Sequence, residues 1–155
     1  MEAVYINQIL NSTKEVIDMC CNEDIQKGNP YIKQSPYSTE DISVNIGITG
    51  DLKGQLVIAL GKNTIKYLAG QMMGGMEIND IEMAKSAMGE LGNMIMGTAA
   101  TKLSQMQTII DITPPMILEG KVNITNPQQT ITLPFKTKSN LNFDMNISIK
   151  SGKGE

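Results

Sequence analysis

The chain has 155 residues, enough for one domain with a sizeable core, and its 41% hydrophobic and 19% charged content is that of an ordinary globular protein. A formal charge of -3, with four Tyr, two Phe and no Trp, argues against a nucleic-acid binder, which shows a basic face and aromatic platforms for stacking bases. His is absent, which removes the commonest general base and the commonest metal ligand and leaves chemistry to carboxylates, amides, hydroxyls, lysines and two cysteines.

Residues 4–26 read as an amphipathic helix, because Ile6, Ile9, Leu10, Thr13, Val16, Ile17 and Cys20 recur at helical spacing before Gly28-Asn29-Pro30 stops the pattern. Cys20 falls on the apolar stripe and is expected as a buried thiol; adjacent Cys20 and Cys21 form no disulfide framework. Residues 41–50 alternate strictly, with Ile42, Val44, Ile46 and Ile48 on one side of a strand. Gly50-Asp51-Leu52-Lys53-Gly54 is a hairpin turn and not a phosphate loop, since it opens no helix, and residues 55–60 form the returning strand. A short helix over 64–73 follows, with Asn63 as its cap and Gly74-Gly75 as its terminator.

A long helix is expected from a cap at Asn79, with Glu82 three residues on, to about Gln105. Pro114-Pro115 breaks the chain, and 116–119 is a short strand. Residues 130–136 and 141–150 alternate. The second of these, with Leu141, Phe143, Met145, Ile147 and Ile149, is the cleanest strand and a candidate for pairing across a sheet edge. Residues 151–155 are expected as a disordered tail. Helix, hairpin, two helices and three strands predict an α+β fold, a mostly antiparallel sheet with helices packed on it, as one domain over 1–150. No stretch approaches the ~20 apolar residues that span a bilayer, and the N-terminus has no basic region followed by a long apolar run. A cytoplasmic protein without membrane insertion is expected.

The long helix carries the pattern with most chemical content, Ser86-Ala-Met-Gly-Glu90-Leu-Gly-Asn93-Met-Ile-Met-Gly97. At about 100° per residue, Ser86, Glu90 and Asn93 point one way, while Ala84, Ala87, Met88, Leu91, Ile95 and Ala99 form a core stripe on the other. Gly89, Gly97 and Ala100 lie beside the acid and the amide and add little bulk; Met83 and Met96 flank this face as candidates for partner contact. Each interior glycine costs a helix about 1 kcal/mol relative to alanine. Those at 89, 92 and 97 imply close approach of something, whether a partner or, for Gly92 at the core edge, the chain itself.

The spacing Ser86, Glu90, Asn93 resembles that of the CheC/CheX family of chemotaxis phosphatases. The string from Glu90 to Gly97 and the later Asp111-Ile-Thr-Pro-Pro115 are particularly similar to the CheX branch, and the element order fits over most of the chain. The resemblance implies hydrolysis of the aspartyl phosphate of a CheY-like response regulator. Asn93 would orient the attacking water and Glu90 would pair with a receiver lysine to fix docking. Ser86, Gly89, Met96, Gly97 and Ala100 would meet the partner. It further implies a homodimer, no cofactor bound by this chain, and a Mg2+ ion held by the receiver. Helix 1 repeats the spacing as Glu15-Val-Ile-Asp18, but without the amide and the flanking glycines, so it reads as a solvated face and leaves one site. Two other classes stay open: a binding module that captures phosphorylated receivers without hydrolysing them, and a structural relative of flagellar switch proteins. The retained Glu/Asn pair argues against the second.

Overall fold

A computed structural model describes residues 3–39 and 41–152. Helix α1 (Ala3–Cys21) is followed by three short strands, β1 (Gln26–Lys27), β2 (Tyr31–Lys33) and β3 (Tyr37–Thr39). The long hairpin β4 (Ile42–Gly50) and β5 (Leu52–Leu60) leads into helices α2 (Lys62–Met72) and α3 (Ile81–Gln105). Strands β6 (Ile110–Ile112), β7 (Met116–Glu119), β8 (Val122–Ile124), β9 (Thr130–Lys136) and β10 (Asn142–Ser151) complete the chain. The main sheet runs β1-β9-β10-β5-β4-β6, entirely antiparallel; β2 follows β1 along the outer edge of β9, and β7 follows β6 along the outer edge of β4. The expected α+β class and antiparallel order both hold.

The alternation in the long strands puts one apolar face under the helices. Register pairs Val44 with Ile58 and Ile58 with Met145, and Met145 with Leu133, so a row of apolar side chains crosses four strands. All four are buried, in one cluster with Ile17, Leu68, Met88 and Ile95 from the three helices. The opposite face is polar. There Asn146 accepts from Thr132 Oγ1 (2.7 Å) and Lys33 Nζ (3.0 Å) and donates to the Val57 carbonyl (3.2 Å), while the Thr130 and Ser148 hydroxyls meet at 2.7 Å. For Asn146, Thr132, Thr130 and Ser148 the partners that buried polar groups need are supplied within the sheet and by β2, while Ser43 Oγ and Asn45 Oδ1 of β4 are buried without one among the described residues.

Several local expectations are corrected. Helix α1 ends at Cys21, five residues early, because Asn22 adopts φ 51° and its N–H returns to Asp18 O. Glu23 then turns inward, fully buried, and accepts from the Tyr67 hydroxyl at 2.6 Å and from the Lys138 N–H. The buried thiol is Cys21, 1% exposed, not the half-buried Cys20; burial, with Cys20 and Glu23 adding in the same direction, pushes the Cys21 pKa up to about 12. Helix α2 is capped by Gly61, without a side-chain bond, rather than by Asn63. Its terminator is as expected: Gly74 and Gly75 take φ 77° and 92°, and the Gly75 N–H closes on Gly70 O. Strand β10 is central, between β9 and β5, so it offers no edge to a second copy. Ser151 still pairs with Leu52 and the Gly152 N–H bonds Asp51 O, so the sheet includes the start of the expected tail; residues 153–155 lie outside the described residues.

The cap of α3 is Asp80, one residue after Asn79: its carboxylate accepts from the Glu82 and Met83 N–H groups. Asp80→Ala is therefore expected to cost about 1 kcal/mol in urea denaturation, and Asn79→Ala close to nothing. Equal effects would return the cap to residue 79.

A candidate active-site cleft

Helix α3 is seated on the sheet by the absence of a side chain. A Cβ at Gly92 would lie 3.2 Å from Val44 Cγ1, 3.3 Å from Ile46 Cδ1 and 3.5 Å from Ile58 Cδ1. With that side fixed inward, Ser86, Glu90 and Asn93 face out and are exposed. The core stripe is buried at Ala84, Met88, Leu91, Ile95 and Ala99, as expected.

The facing wall is the chain from Ile112 to Ile117. Together with Ser86, Gly89, Glu90 and Asn93 it encloses an open cleft of about 530 Å3. Three contacts position this wall, two on the helix and one on strand β4. Ile117 fills the space beside Gly89, where a Cβ would come within 2.9 Å of Ile117 Cδ1. Lys85 Nζ reaches Glu119 on β7 at 2.8 Å and Glu82 on its own helix at 2.9 Å. That partnership raises the Lys85 pKa and lowers that of Glu119, the hydrogen bond being the larger cause in each. Lastly, the Thr113 N–H donates to Gly47 O at 3.0 Å, and the Gly47 N–H donates to Thr113 Oγ1 at 2.8 Å.

The predicted site residues divide. Ser86, Glu90 and Asn93 share the cleft. Gly97 lies beside them with open space where a side chain would be, and Ala100 is half-buried against the core. Met96 is 0% exposed, so its expected partner contact is overturned: about 60° round the helix from Asn93, it falls within the buried arc of α3. Gly89 lines the cleft, and the space that a side chain would need there is taken by Ile117 of the same chain, so its smallness serves internal packing. Met83 is 44% exposed on the site face, and Met116, on the facing strand, is 60% exposed. The second Glu-x-x-acid spacing is a surface feature: Glu15 and Asp18 are exposed, and Glu15 is paired with Lys102 of α3 at 2.9 Å.

Thr113 and Gly47 were missed as site-building residues. Thr113 lies within the segment 111–115 that carries the resemblance, but nothing in that segment marks its side chain, and Gly47 reads as an ordinary strand residue. The cleft lining holds one carboxylate and no cation. An isolated phosphate ion therefore meets no countercharge here, and an anionic group entering this cleft must bring its own neutralisation.

Residues 42–136 match the family described as chemotaxis phosphatase CheX. The CheY-P phosphatase CheX of Thermotoga maritima is 34% identical over 154 residues, covering 98% of this chain and 99% of that protein.

The chain belongs to the CheX family.

Solved structures agree. A CheC-like superfamily protein from Shewanella sp. PV-4 superimposes with a TM-score of 0.84 at 27% identity, covering 97% of this chain and 100% of that one. The CheX of a Borrelia burgdorferi CheX-CheY-BeF3-Mg2+ complex gives a TM-score of 0.82 at 25% identity, covering 95% of this chain and 98% of that one. In this CheX-family chain the helix glycines have distinct tasks that stability measurements separate. Gly97→Ala is expected to stabilise the fold by about 1 kcal/mol, since helix propensity improves and nothing is displaced. Gly92→Ala is expected to destabilise it by about 1–2 kcal/mol, since the methyl overpacks against Val44. A loss of stability in Gly97→Ala would mean that the open side is occupied.

Proposed function

We propose that this chain hydrolyses the aspartyl phosphate of a CheY-like response regulator. The observation that carries the reading is the pairing of an exposed carboxylate and an exposed amide, Glu90 and Asn93, in one open cleft that lacks any cation. A loose phosphoryl-transfer transition state asks for little covalent assistance; it asks for a water in line with the leaving oxygen and for neutralised charge. Asn93 suits the first task. Its carbonyl accepts from the water, its NH2 donates to a phosphoryl oxygen, and it does not titrate.

Neutralisation falls to the receiver, through a Mg2+ ion that it holds. Among the described residues of this chain no three His, Cys, Asp or Glu side chains come together as a metal site. Glu90 is repelled by the phosphoryl oxygens and so contacts the receiver beside them, as the acidic partner of a lysine. Ser86, one turn earlier on the exposed face, touches the partner at the rim. Gly97 admits the receiver to the backbone of α3.

The reading places the protein in the cytoplasm as a homodimer. No helix among the described residues is long and apolar enough to cross a membrane. With β10 central, a second copy has β1–β2 or β6–β7 as sheet edges. Sedimentation equilibrium showing only monomer at micromolar concentration would remove the dimer without touching the chemistry.

Phosphate release from a receiver labelled by a small phosphodonor tests the function. Asn93→Ala is expected to lose about 10²-fold in kcat while still binding the receiver, the size of effect for removing one preorganised polar group. Glu90→Ala is expected to raise KM as well. Binding without release in the wild type would leave a capture module, and a wild-type rate in Asn93→Ala would overturn the residue's role.

A further inference from the structure

Thr113 stands where the ladder along β4 is interrupted. β6 pairs with β4 as far as Ile112 opposite Ile48, and β7 resumes with Met116 opposite Asn45; between them Pro114 and Pro115 have no N–H to donate. The gap falls at Ile46 and Gly47. There the Thr113 hydroxyl oxygen takes the place of a strand carbonyl, accepting the Gly47 N–H at 2.8 Å.

That bond has a consequence for the cleft. An oxygen that accepts from Gly47 keeps its own proton to donate elsewhere. Thr113 is exposed and lines the cleft opposite Glu90 and Asn93. Its side chain is held by that bond and packs closely on Gly47: the Cγ2 methyl lies 3.0 Å from where a Gly47 Cβ would stand, so a side chain at 47 would press on it. Its backbone is anchored separately, by its own N–H on Gly47 O and by Pro114 after it. The facing helix offers an acceptor-only carboxylate at Glu90, so the hydroxyl supplies the opposite polarity on the second wall.

We propose that Thr113 is a docking residue whose hydroxyl donates to a main-chain carbonyl oxygen in a loop of the incoming receiver. This rests on the reading of the cleft as a receiver-docking site. A receiver of the doubly wound α/β type carries its ligand crevice outside the carboxyl ends of its strands, where the βα loops lie. A cleft of about 530 Å3 admits such a loop, not only a phosphoryl group. The contact is made whether or not the aspartate is phosphorylated, so it sets affinity and specificity for the receiver and leaves the chemical step to Asn93.

The test is a titration of unphosphorylated and BeF3-treated receiver against the wild type, Thr113→Val and Thr113→Ser, with steady-state phosphate release beside it. Thr113→Val is expected to weaken binding of both receiver forms about fivefold, the size of one neutral hydrogen bond, and to raise KM similarly with kcat retained. Thr113→Ser, which keeps the hydroxyl, restores both. Gly47→Ala, which displaces the side chain but retains the hydroxyl, is expected to weaken binding as Thr113→Val does. A fall in kcat with unchanged Kd would assign the hydroxyl to the phosphoryl group and overturn the docking role. Equal binding by wild type and Thr113→Val overturns this inference alone. A wild-type protein that neither binds nor dephosphorylates a receiver overturns the proposed function, and the inference with it.

Discussion

The close seating of α3 on the sheet is the constraint from which the site follows. Gly92 lies against Val44, Ile46 and Ile58 so closely that a methyl group would press on Val44 and Ile46, and this contact lets a 25-residue helix sit close to the sheet with its glycine side inward. With Gly92 and the stripe Met88, Leu91, Ile95 and Ala99 buried on one side, the helical period turns Ser86, Glu90 and Asn93 outward together. Interior glycines weaken a helix, and here the loss is offset by burial of Met88, Leu91, Ile95 and Leu103 against three strands and two other helices. The site residues sit on a rigid element, which is what an orienting group requires.

The second wall of the cleft is made by a fault in the sheet. Two consecutive prolines cannot continue a ladder, so the chain between β6 and β7 leaves β4 and lines the cleft instead. The fault is repaired at one residue, Thr113, whose N–H and Oγ1 both bond Gly47, and the displaced segment is tied back to α3 through Ile117 on Gly89 and Glu119 on Lys85. The same arrangement determines the electrostatics. Lys85 is engaged outside the cleft lining, leaving a carboxylate, an amide and two hydroxyls within it. Such a lining is suited to completing another protein's charged pocket and ill suited to holding phosphate alone.

Most of this organisation was legible in the sequence. Strict alternation in β4 and β10 located both strands and their inward faces, and the 3.6-residue period located α3 to its last residue, because long periodic segments carry many concordant positions. The Glu90/Asn93 spacing located the cleft's helical wall. What was not legible depended on contacts distant in sequence. Met96 sits at the border of the polar face, and neighbouring elements decide that it is buried. Cys21 is buried rather than Cys20 because α1 also packs on Leu68, whose carbonyl faces the Cys21 thiol. Strand β6 has three residues and no alternation of its own to read; its pairing with Ile48–Gly50 defines it. The central position of β10 is a matter of strand order, about which alternation is silent.

The most direct measurement is the single-turnover rate of receiver dephosphorylation by Asn93→Asp, with excess CheX-family protein over phosphorylated receiver. The substitution keeps the shape of the side chain, removes its NH2 donor and places a second negative charge beside Glu90 in the cleft. A rate lowered by about 10²-fold or more, with the fold intact by circular dichroism, is the expected result. A rate equal to that of the wild type would contradict the central claim, since neither the amide's donor nor its neutrality would then matter.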